Sequence, residues 1–191
     1  MDLVIASNNA HKIEEIRAIL GTRFRLLSMA DIGLHIEIEE TGETLVENAL
    51  IKARTVSNLT GLPCLADDTG LLVDALDGAP GVRSARFAGE DQNDQANRNK
   101  MLALMEGIPV PRRTAHFETV LVLRYPNGQE IIARGRVDGF ILTEEHGTNG
   151  FGYDSIFYCN ELQIPFGEAS AEAKNSVSHR GKALANLVEL L

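Results

Sequence analysis

Residues 114–142 carry the pattern that most restricts the fold of this chain of 191 residues. The stretch HFETVLVLRY is followed by the turn sequence PNGQ and then by EIIARGRVDGFIL. Two apolar runs rich in β-branched and aromatic residues, joined by a short turn with Pro, Asn and Gly, are typical of an antiparallel β-hairpin. The chain is therefore expected to build a sheet around an antiparallel pair.

Shorter strands and helices alternate on both sides of this hairpin. Apolar runs bounded by turn residues predict strands at 3–6, at 24–27, on each side of an Asp-Asp-Thr-Gly turn at 67–70, and at 155–159. Helical periodicity predicts helices after residue 7 or 8, at 44–59, at 94–105, and from residue 176 or 178 to the C-terminus. Ser7 or Asn8 is expected to cap the first helix and Gly21 to stop it. An α/β fold with a mixed sheet and flanking helices follows, and residues 1–191 are expected to form a single domain without a linker.

The charge balance limits the classes of partner. Lys and Arg total 18 against 27 Asp and Glu, and the net charge of -9 disfavours binding of polymeric nucleic acid. The N-terminal apolar run is too short for a signal peptide, and no segment is long enough to span a membrane, so we expect a cytoplasmic protein. Cys64 and Cys159 lack metal-ligand spacing and are expected to be buried thiols.

Two adjacent carboxylates, Asp67 and Asp68, follow an apolar strand in the sequence PCLADDTGLLVD. They repel each other unless solvent, a cation or hydrogen-bond donors offset the repulsion. Glu39 or Glu40 could share a divalent cation with either aspartate, because Mg²⁺ takes one or two protein carboxylates and leaves its other positions to water and phosphate oxygens. A plain polar turn and a solvated acidic stretch are the alternatives.

A second cluster, SNNAHK at 7–12, lies where the first strand ends and the first helix begins. Free N–H groups and the positive end of the helix dipole favour a phosphate there, and Ser7, Asn9 and Lys12 add donors and a charge. The spacing GxxxxGK[ST] is absent, so this is not a Walker A loop. The alternative is that Ser7 and Asn8 only cap the helix.

Aromatic and hydrogen-bonding residues gather in the C-terminal third of the chain. The glycine-rich loop GTNGFGYD presents aromatic rings that could stack on a heterocycle. Side chains that could form hydrogen bonds to the edge of that heterocycle are Asp154, Lys174, His179 and Arg180. Phe151 and Tyr153 are individually more often core residues, and a single His at a helix start is more often a cap, but three such clusters at element junctions favour a ligand site.

Five motifs, in this order and at these separations, resemble those of the inosine triphosphate pyrophosphatase family: SNNAHK, ETGETLVENALIKAR, LADDTGLLVDALDGAPGVRSARFAG, GTNGFGYDSIF and SVSHRGKAL. The resemblance covers essentially the whole chain. It implies hydrolysis of ITP, dITP and XTP to the monophosphate and pyrophosphate, a house-cleaning activity on the nucleotide pool. It also implies two lobes around a long mixed sheet with a central substrate cleft, a Mg²⁺ requirement and a homodimer.

The resemblance assigns roles by position. Asp68 matches the proton acceptor, and Glu40 and Asp68 match the metal ligands. The positions that match substrate-binding residues are Ser7, Asn8, Asn9, Ala10, His11, Lys12, Lys52, Thr69, Phe151, Gly152, Tyr153, Asp154, Lys174, His179 and Arg180. Position 7 is Ser where many members have Thr, and position 69 is Thr where Ser is common, so both keep the hydroxyl.

The expected reaction is attack of water on the α-phosphorus with pyrophosphate leaving, the water being deprotonated by Asp68 or, where the geometry favours it, by Asp67. Hypoxanthine and xanthine carry a 6-keto acceptor, which suits donors such as Arg180, Lys174 or backbone N–H groups. Adenine has a donor at that position and would leave buried donors unpaired.

Other functions are compatible with parts of the sequence. One is a related pyrophosphatase that acts on modified pyrimidine nucleotides, as in the septum-inhibitor-like family. A second is a nucleotide-binding module that does not hydrolyse its ligand. A phosphatase of the haloacid dehalogenase type is disfavoured, because that chemistry needs the spacing Asp-x-Asp-x-Thr.

Overall fold

The computed structural model describes residues 2–90 and 92–191. The strands, in chain order, are β1 (Asp2–Ile5), β2 (Arg25–Ser28), β3 (Cys64–Val73), β4 (Pro80–Gly81), β5 (Thr114–Arg124), β6 (Glu130–Ile141), β7 (Phe157–Cys159) and β8 (Ile164–Pro165). The α-helices are α1 (Ala10–Leu20), α2 (Leu45–Thr60), α3 (Asp94–Leu104), α4 (Ala171–Val177) and α5 (His179–Glu189).

Within the described residues the strands form one mixed sheet of eight strands, in the order β2-β1-β3-β5-β6-β7-β8, with β4 paired to β3. Strand β1 runs parallel to β2 and β3, whereas β7 runs antiparallel to β6 and β8. Strands β5 and β6 are neighbours joined by a short turn, in which Tyr125 N donates to Gln129 O at 2.9 Å. The predicted mixed α/β fold is confirmed, and so is the hairpin at its centre.

The chain forms two compact units. The first unit comprises the residues up to Asp68, Thr119–Gly135 and Arg180–Leu191, and the second comprises Thr69–Glu118 and Arg136–His179. Strands β3, β5 and β6 therefore contribute residues to both units. The single domain expected from the sequence stays a prediction.

The core of the first unit lies between strand residues and one apolar face of each of two helices. Ile16 and Leu20 of α1 are four residues apart, so they lie on one stripe of the helix and are fully buried. The other members of this core are Leu3, Ile5, Leu65, Leu121, Leu123, Ala133, Ala183, Leu184 and Leu187. This packing fixes the start of α1 beside the end of β1.

The core of the second unit is built around three phenylalanine rings. The centroid of the Phe157 ring lies 4.7 Å from that of Phe117 and 5.3 Å from that of Phe166. Helix α3 adds Met101 to this core, and Met105 packs there directly after the helix. Asp94 and Arg98 lie seven and three residues before Met101, so these polar residues share the helix face that packs on this core.

The predicted turn at 67–70 is wrong, because β3 runs without interruption from Cys64 to Val73. Asp67 and Asp68 are both buried within this strand. Successive side chains of a strand point to opposite faces, so the two carboxylates diverge. Each one is paired with lysine or arginine side chains, which replaces the solvation that a turn would have given.

The cap predicted for the first helix is also wrong, because Asn9 rather than Ser7 or Asn8 is the N-cap of α1. The Asn9 Oδ1 atom accepts from Lys12 N at 3.2 Å. Ser7 Oγ accepts from Asn9 N, and Asn8 Nδ2 donates to a backbone carbonyl at residue 36, so both side chains are engaged before the helix begins. The predicted stop at Gly21 is confirmed.

The predicted C-terminal helix is confirmed for the start after Ser178, because α5 begins at His179, and a separate helix, α4, precedes it. Ser178 separates α4 from α5 with extended backbone angles, φ -66° and ψ 158°. Ser176 lies inside α4 and caps neither helix. The N-cap of α4 is Ser170, whose side chain accepts from Ala173 N.

Candidate active site

In the first unit, buried charged side chains surround the two aspartates of β3. Lys12 comes from the first turns of α1, Lys52 from the middle of α2 and Arg180 from the start of α5. All three side chains reach the aspartates of β3 and form ion pairs with them. Asp67, Asp68, Lys52 and Arg180 are each at most 7% exposed.

Asp67 is held by two cations. Its Oδ2 atom lies 3.0 Å from Lys12 Nζ and accepts from Arg180 Nη2 at 3.1 Å and from Arg180 Nε at 3.3 Å. Burial raises the pKa of the Asp67 carboxyl, but the charges of Lys12, Arg180 and Lys52 outweigh burial and hold the pKa well below its ordinary value of 3.8. Asp67 is therefore ionised at neutral pH and is a poor proton acceptor.

Arg180 also pairs with Glu15, a carboxylate that was not predicted from the sequence. Its Nη1 atom donates to Glu15 Oε2 in a very short contact, and the Arg180 side chain is 1% exposed. Glu15 lies three residues after Lys12 in α1, so both side chains project from neighbouring positions on one helix face. That spacing is the sequence signal that could have identified Glu15.

Asp68 has a different environment. Its Oδ1 atom accepts from Lys52 Nζ at 3.1 Å, and the same ammonium donates to Glu40 Oε1 at 2.7 Å. The Oδ2 atom of Asp68 is buried and has no hydrogen-bond partner among residues 2–90 and 92–191. Burial raises the pKa of the Asp68 carboxyl above 3.8, although the charges of Lys52 and Lys12 act in the opposite direction.

The position of Glu40 is set by the turn that leads into α2. Thr44 Oγ1 accepts from Glu47 N, and Glu47 Oε2 accepts from Thr44 N, which is a capping box. The buried Asn48 Oδ1 accepts from Gly42 N at 2.8 Å. A Cβ at Gly42 would lie 2.6 Å from the Glu47 Cβ, so only glycine permits this close approach. Glu40 is thereby held two residues from a fixed turn.

The segment 7–12 lies at the N-terminal end of α1. Asn8, Asn9, Ala10 and His11 are exposed, whereas Ser7 and Lys12 are half-buried. The first-turn N–H groups of a helix and its positive dipole end favour an anion, and the Lys12 ammonium adds a full charge. This segment and Lys52 belong to the same unit as Asp68.

In the second unit, Asp154 organises the loop that carries Phe151. The Asp154 Oδ2 atom accepts from Phe151 N at 2.9 Å and from Lys174 Nζ at 2.7 Å. The Lys174 Nζ atom lies 4.7 Å from the centroid of the Phe151 ring, a cation–π contact. Gly150 has φ +75°, and a Cβ there would lie 2.0 Å from Asp154 Oδ2, so glycine is required.

The other predicted residues of this unit have different surroundings. The hydroxyl of Tyr153 donates to Ser84 O at 2.7 Å, and burial raises the pKa of that hydroxyl. His179 stacks on Phe117, with ring centroids 4.7 Å apart. Thr69 follows Asp68 in β3 and is half-buried. Phe151, Asp154 and Lys174 are thus predicted residues of the second unit that contact one another directly.

Glu40 and Asp68 are the residues that could hold a divalent cation. Within the described part of the chain, no group of three His, Cys, Asp or Glu side chains is arranged to bind a metal. Mg²⁺ needs only one or two protein carboxylates when phosphate oxygens and water complete its octahedron. Among the residues that the structure describes, none donates to the buried Asp68 Oδ2, and such an oxygen is costly unless a cation or a water meets it. The donor set therefore fits Mg²⁺.

The family model described as the Ham1 family matches residues 3–190. The dITP/XTP pyrophosphatase of Geobacter sulfurreducens is 50% identical over 190 residues, which are 99% of this chain and 96% of that protein. That of Desulforamulus reducens is 47% identical over 192 residues, which are 100% of this chain and 96% of that protein.

Solved structures of Ham1 proteins are also similar to this chain. A HAM1 protein from Coxiella burnetii has a TM-score of 0.89 at 40% identity, covering 100% of this chain and 98% of its own. The Staphylococcus aureus Ham1 protein has a TM-score of 0.88 at 36% identity, covering 100% of this chain and 97% of its own. Among the described residues, no helix is both long enough and apolar enough to cross a membrane.

Proposed function

Because the chain belongs to the Ham1 family and its full-length relatives are dITP/XTP pyrophosphatases, we propose that it hydrolyses non-standard purine nucleoside triphosphates to the monophosphate and pyrophosphate. The chain is a nucleoside triphosphate pyrophosphatase. Its substrates are ITP, dITP and XTP, and its reaction removes them from the nucleotide pool.

The observation that carries this proposal is the asymmetry of the two adjacent aspartates. Asp67 is fixed as an anion by Lys12 and Arg180, whereas Asp68 has a raised pKa and a buried oxygen without a hydrogen-bond partner in the described residues. A carboxylate with a raised pKa and an available oxygen can accept a proton from water. Asp68 is therefore assigned as the general base, and Asp67 as the anion that holds the cations in place.

The phosphates bind to residues of the first unit. Lys12 and Lys52 supply positive charge, and the segment 7–12 supplies N–H donors, with the side chains of Ser7 and Asn9 beside them. Burial lowers the pKa of Lys52, but the negative charges of Asp68, Asp67 and Glu40 outweigh burial and raise the pKa above its ordinary value. The Lys52 ammonium therefore stays charged. This charge stabilises the anionic oxygens as the bond to pyrophosphate breaks.

Glu40 and Asp68 would hold the Mg²⁺ ion on which the activity depends. When bound, Mg²⁺ neutralises phosphate oxygens and polarises the phosphorus centre. Lys52 bridges the same two carboxylates and holds them side by side.

The chemical step is an in-line displacement at the α-phosphorus. Asp68 takes one proton from a water molecule, and the oxygen of that water forms a bond to the α-phosphorus. The bond from this phosphorus to the bridging oxygen breaks, and the electron pair leaves with pyrophosphate, whose charge Lys12 and Lys52 stabilise. Asp68 then releases its proton to solvent.

The base binds to residues of the second unit. The Phe151 ring provides a stacking face, and the Lys174 ammonium, oriented by Asp154, donates to the 6-keto oxygen of hypoxanthine or xanthine. Gly152, Tyr153 and His179 belong to the same unit, and Thr69 begins it. Three nitrogens of Arg180 donate to Asp67 and Glu15, so the base contact is assigned to Lys174 in preference to Arg180.

The test is an assay of the purified protein on ITP, dITP, XTP, GTP, ATP and dUTP, with pyrophosphate and orthophosphate measured separately. We expect pyrophosphate from the first three substrates, little product from the others, and loss of activity with a chelator that added Mg²⁺ reverses. Preferential hydrolysis of dUTP would indicate the pyrimidine-directed enzyme instead. Stable binding of ITP with Mg²⁺ and no product would indicate a nucleotide-binding module.

A further inference from the structure

Helix α3 holds both polar atoms of the Gly152 residue. Asp94 Oδ2 accepts from Gly152 N at 2.9 Å, and Arg98 Nη1 donates to Gly152 O at 2.8 Å. Asp94 and Arg98 are four residues apart and therefore lie on the same side of the helix. The loop residue between Phe151 and Tyr153 is thus clamped from one helix face.

Arg98 is itself fixed by further contacts. Its Nε atom donates to Glu145 Oε2 at 3.1 Å, and its Nη2 atom donates to Gln95 Oε1 at 2.8 Å. Gln95 Nε2 donates to Glu145 Oε1 at 2.6 Å, and Ser155 Oγ donates to Glu145 Oε2 at 2.9 Å. With 16% of its side chain exposed, Arg98 has one defined orientation.

The same helix also holds a second loop that contacts the first. The buried Asn97 donates to Ala85 O at 2.9 Å and accepts from Ala88 N at 2.7 Å. The carbonyl of Ser84, just before this stretch, accepts the Tyr153 hydroxyl. Helix α3 therefore holds both the Gly152 backbone and the segment beside Ser84, which accepts the Tyr153 hydroxyl.

We propose that Asp94 and Arg98 are positioning residues that fix the loop 147–154 in the conformation that binds the nucleobase. This inference rests on the proposed function. Gly147, Gly150 and Gly152 all have positive φ, and glycines leave an unbound chain with many conformations. The loop therefore needs external contacts to hold the Phe151 ring and the Asp154 carboxylate in place, and the clamp supplies them.

The clamp belongs to the second unit, and the residues assigned to phosphate binding and proton transfer belong to the first. Loss of the clamp should therefore weaken the binding of the nucleoside part of the substrate and leave the chemical step largely intact. Inorganic triphosphate lacks a base, so its binding should not depend on the clamp.

The test compares ITP hydrolysis by Arg98→Ala, Arg98→Lys, Asp94→Ala and Asp94→Asn. Both alanine variants should raise KM for ITP about tenfold, with kcat within about twofold of the parent, because a charge-assisted contact to the loop is lost. Arg98→Lys keeps a hydrogen-bond donor and Asp94→Asn keeps an acceptor, so each of these variants should show a smaller rise in KM than the corresponding alanine variant. Arg136→Ala is the matched control, because Arg136 is in the same unit and pairs with Asp138 on the surface.

The inhibition constant of inorganic triphosphate should stay unchanged in every variant. An unaltered KM in Arg98→Ala, a fall in kcat at constant KM, or parallel weakening of inorganic triphosphate would overturn the proposal. A second experiment separates the clamp proposal from the proposed function. It measures the binding of ITP to Asp68→Asn and to the double variant Asp68→Asn with Arg98→Ala. Binding that depends on Arg98 without hydrolysis by the parent would contradict the proposed function alone, and ITP binding that does not depend on Arg98 would contradict the clamp.

Discussion

Lys52 and Asp68 form an ion pair in which Nζ lies 3.1 Å from Oδ1 and the side chains are 9% and 8% exposed. This geometry engages one oxygen of the carboxylate and leaves Oδ2 without a hydrogen-bond donor in the described residues. A buried ion pair with an unpaired oxygen is unfavourable for stability, because desolvation is only partly offset. Such an arrangement is expected in a binding site, where substrate, water or a cation can contact the Asp68 Oδ2 atom.

Asp68→Asn should lower kcat for ITP at least about a hundredfold, because asparagine cannot accept the proton of the attacking water. The side chain keeps its shape, and Lys52 keeps its contact with Glu40, so the fold should be preserved. Circular dichroism and thermal unfolding provide the control for folding, and steady-state release of pyrophosphate provides the measurement. Near-normal turnover would remove Asp68 from the mechanism.

Asp67→Asn should act mainly on stability. Without this carboxylate, Arg180 keeps Glu15 but both Arg180 and Lys12 lose a buried partner, and breaking such a pair costs about 3–5 kcal/mol in the free energy of unfolding. Urea denaturation of Asp67→Asn and Asp68→Asn under identical conditions measures the difference. Equal stability of the two variants would contradict the structural role assigned to Asp67.

Acid should destabilise the protein through Asp67. Its folded pKa lies below the ordinary value of 3.8, so the ionised carboxylate stabilises the folded state above about pH 4, and this stabilisation is lost as the pH falls toward the folded pKa. Unfolding free energies measured in chelator between about pH 3 and 6 should decrease toward acid in the parent. The decrease should be smaller in Asp67→Asn, and an identical slope in both proteins would exclude this assignment.

The sequence predicted the elements whose signals are local. The hairpin of β5 and β6 and the stop of α1 at Gly21 follow from turn and capping residues, and the periodicity that predicted a helix at 44–59 agrees with α2. The prediction of a turn at Asp67 and Asp68 was wrong because the two acids are neutralised by Lys12, Lys52 and Arg180, which come from three distant helices. No local pattern shows that such partners will neutralise adjacent acids inside a strand.

The candidate site was predictable to a similar extent. Motif resemblance identified Glu40, Lys52 and Asp68, which the structure brings together. It did not identify Glu15 or the clamp residues Asp94 and Arg98. Asp94 and Arg98 contact the backbone of Gly152, which is more than fifty residues away in the sequence, so their role depends on tertiary contacts that the sequence does not display.

Glu40→Gln should raise the Mg²⁺ concentration that gives half-maximal activity by about tenfold, because the site loses one of two anionic oxygen ligands. Saturating Mg²⁺ should restore most of the activity. The matched control is Glu39→Gln, which removes the same charge from the exposed neighbouring position. Equal effects of the two variants would show that only the local charge matters and that Glu40 is not a ligand.

Lys174→Met should lower the ratio of kcat/KM for ITP over ATP by at least about tenfold, because the donor assigned to the 6-keto oxygen is removed while the length of the side chain is kept. Asp154 loses its ammonium partner as well, so thermal unfolding must accompany the kinetics. Arg180→Ala is the informative comparison, since the guanidinium donates to Asp67 and Glu15. It should reduce stability and turnover for both nucleotides and leave their ratio within about twofold. A large change of the ratio in Arg180→Ala, with none in Lys174→Met, would transfer base recognition to the arginine.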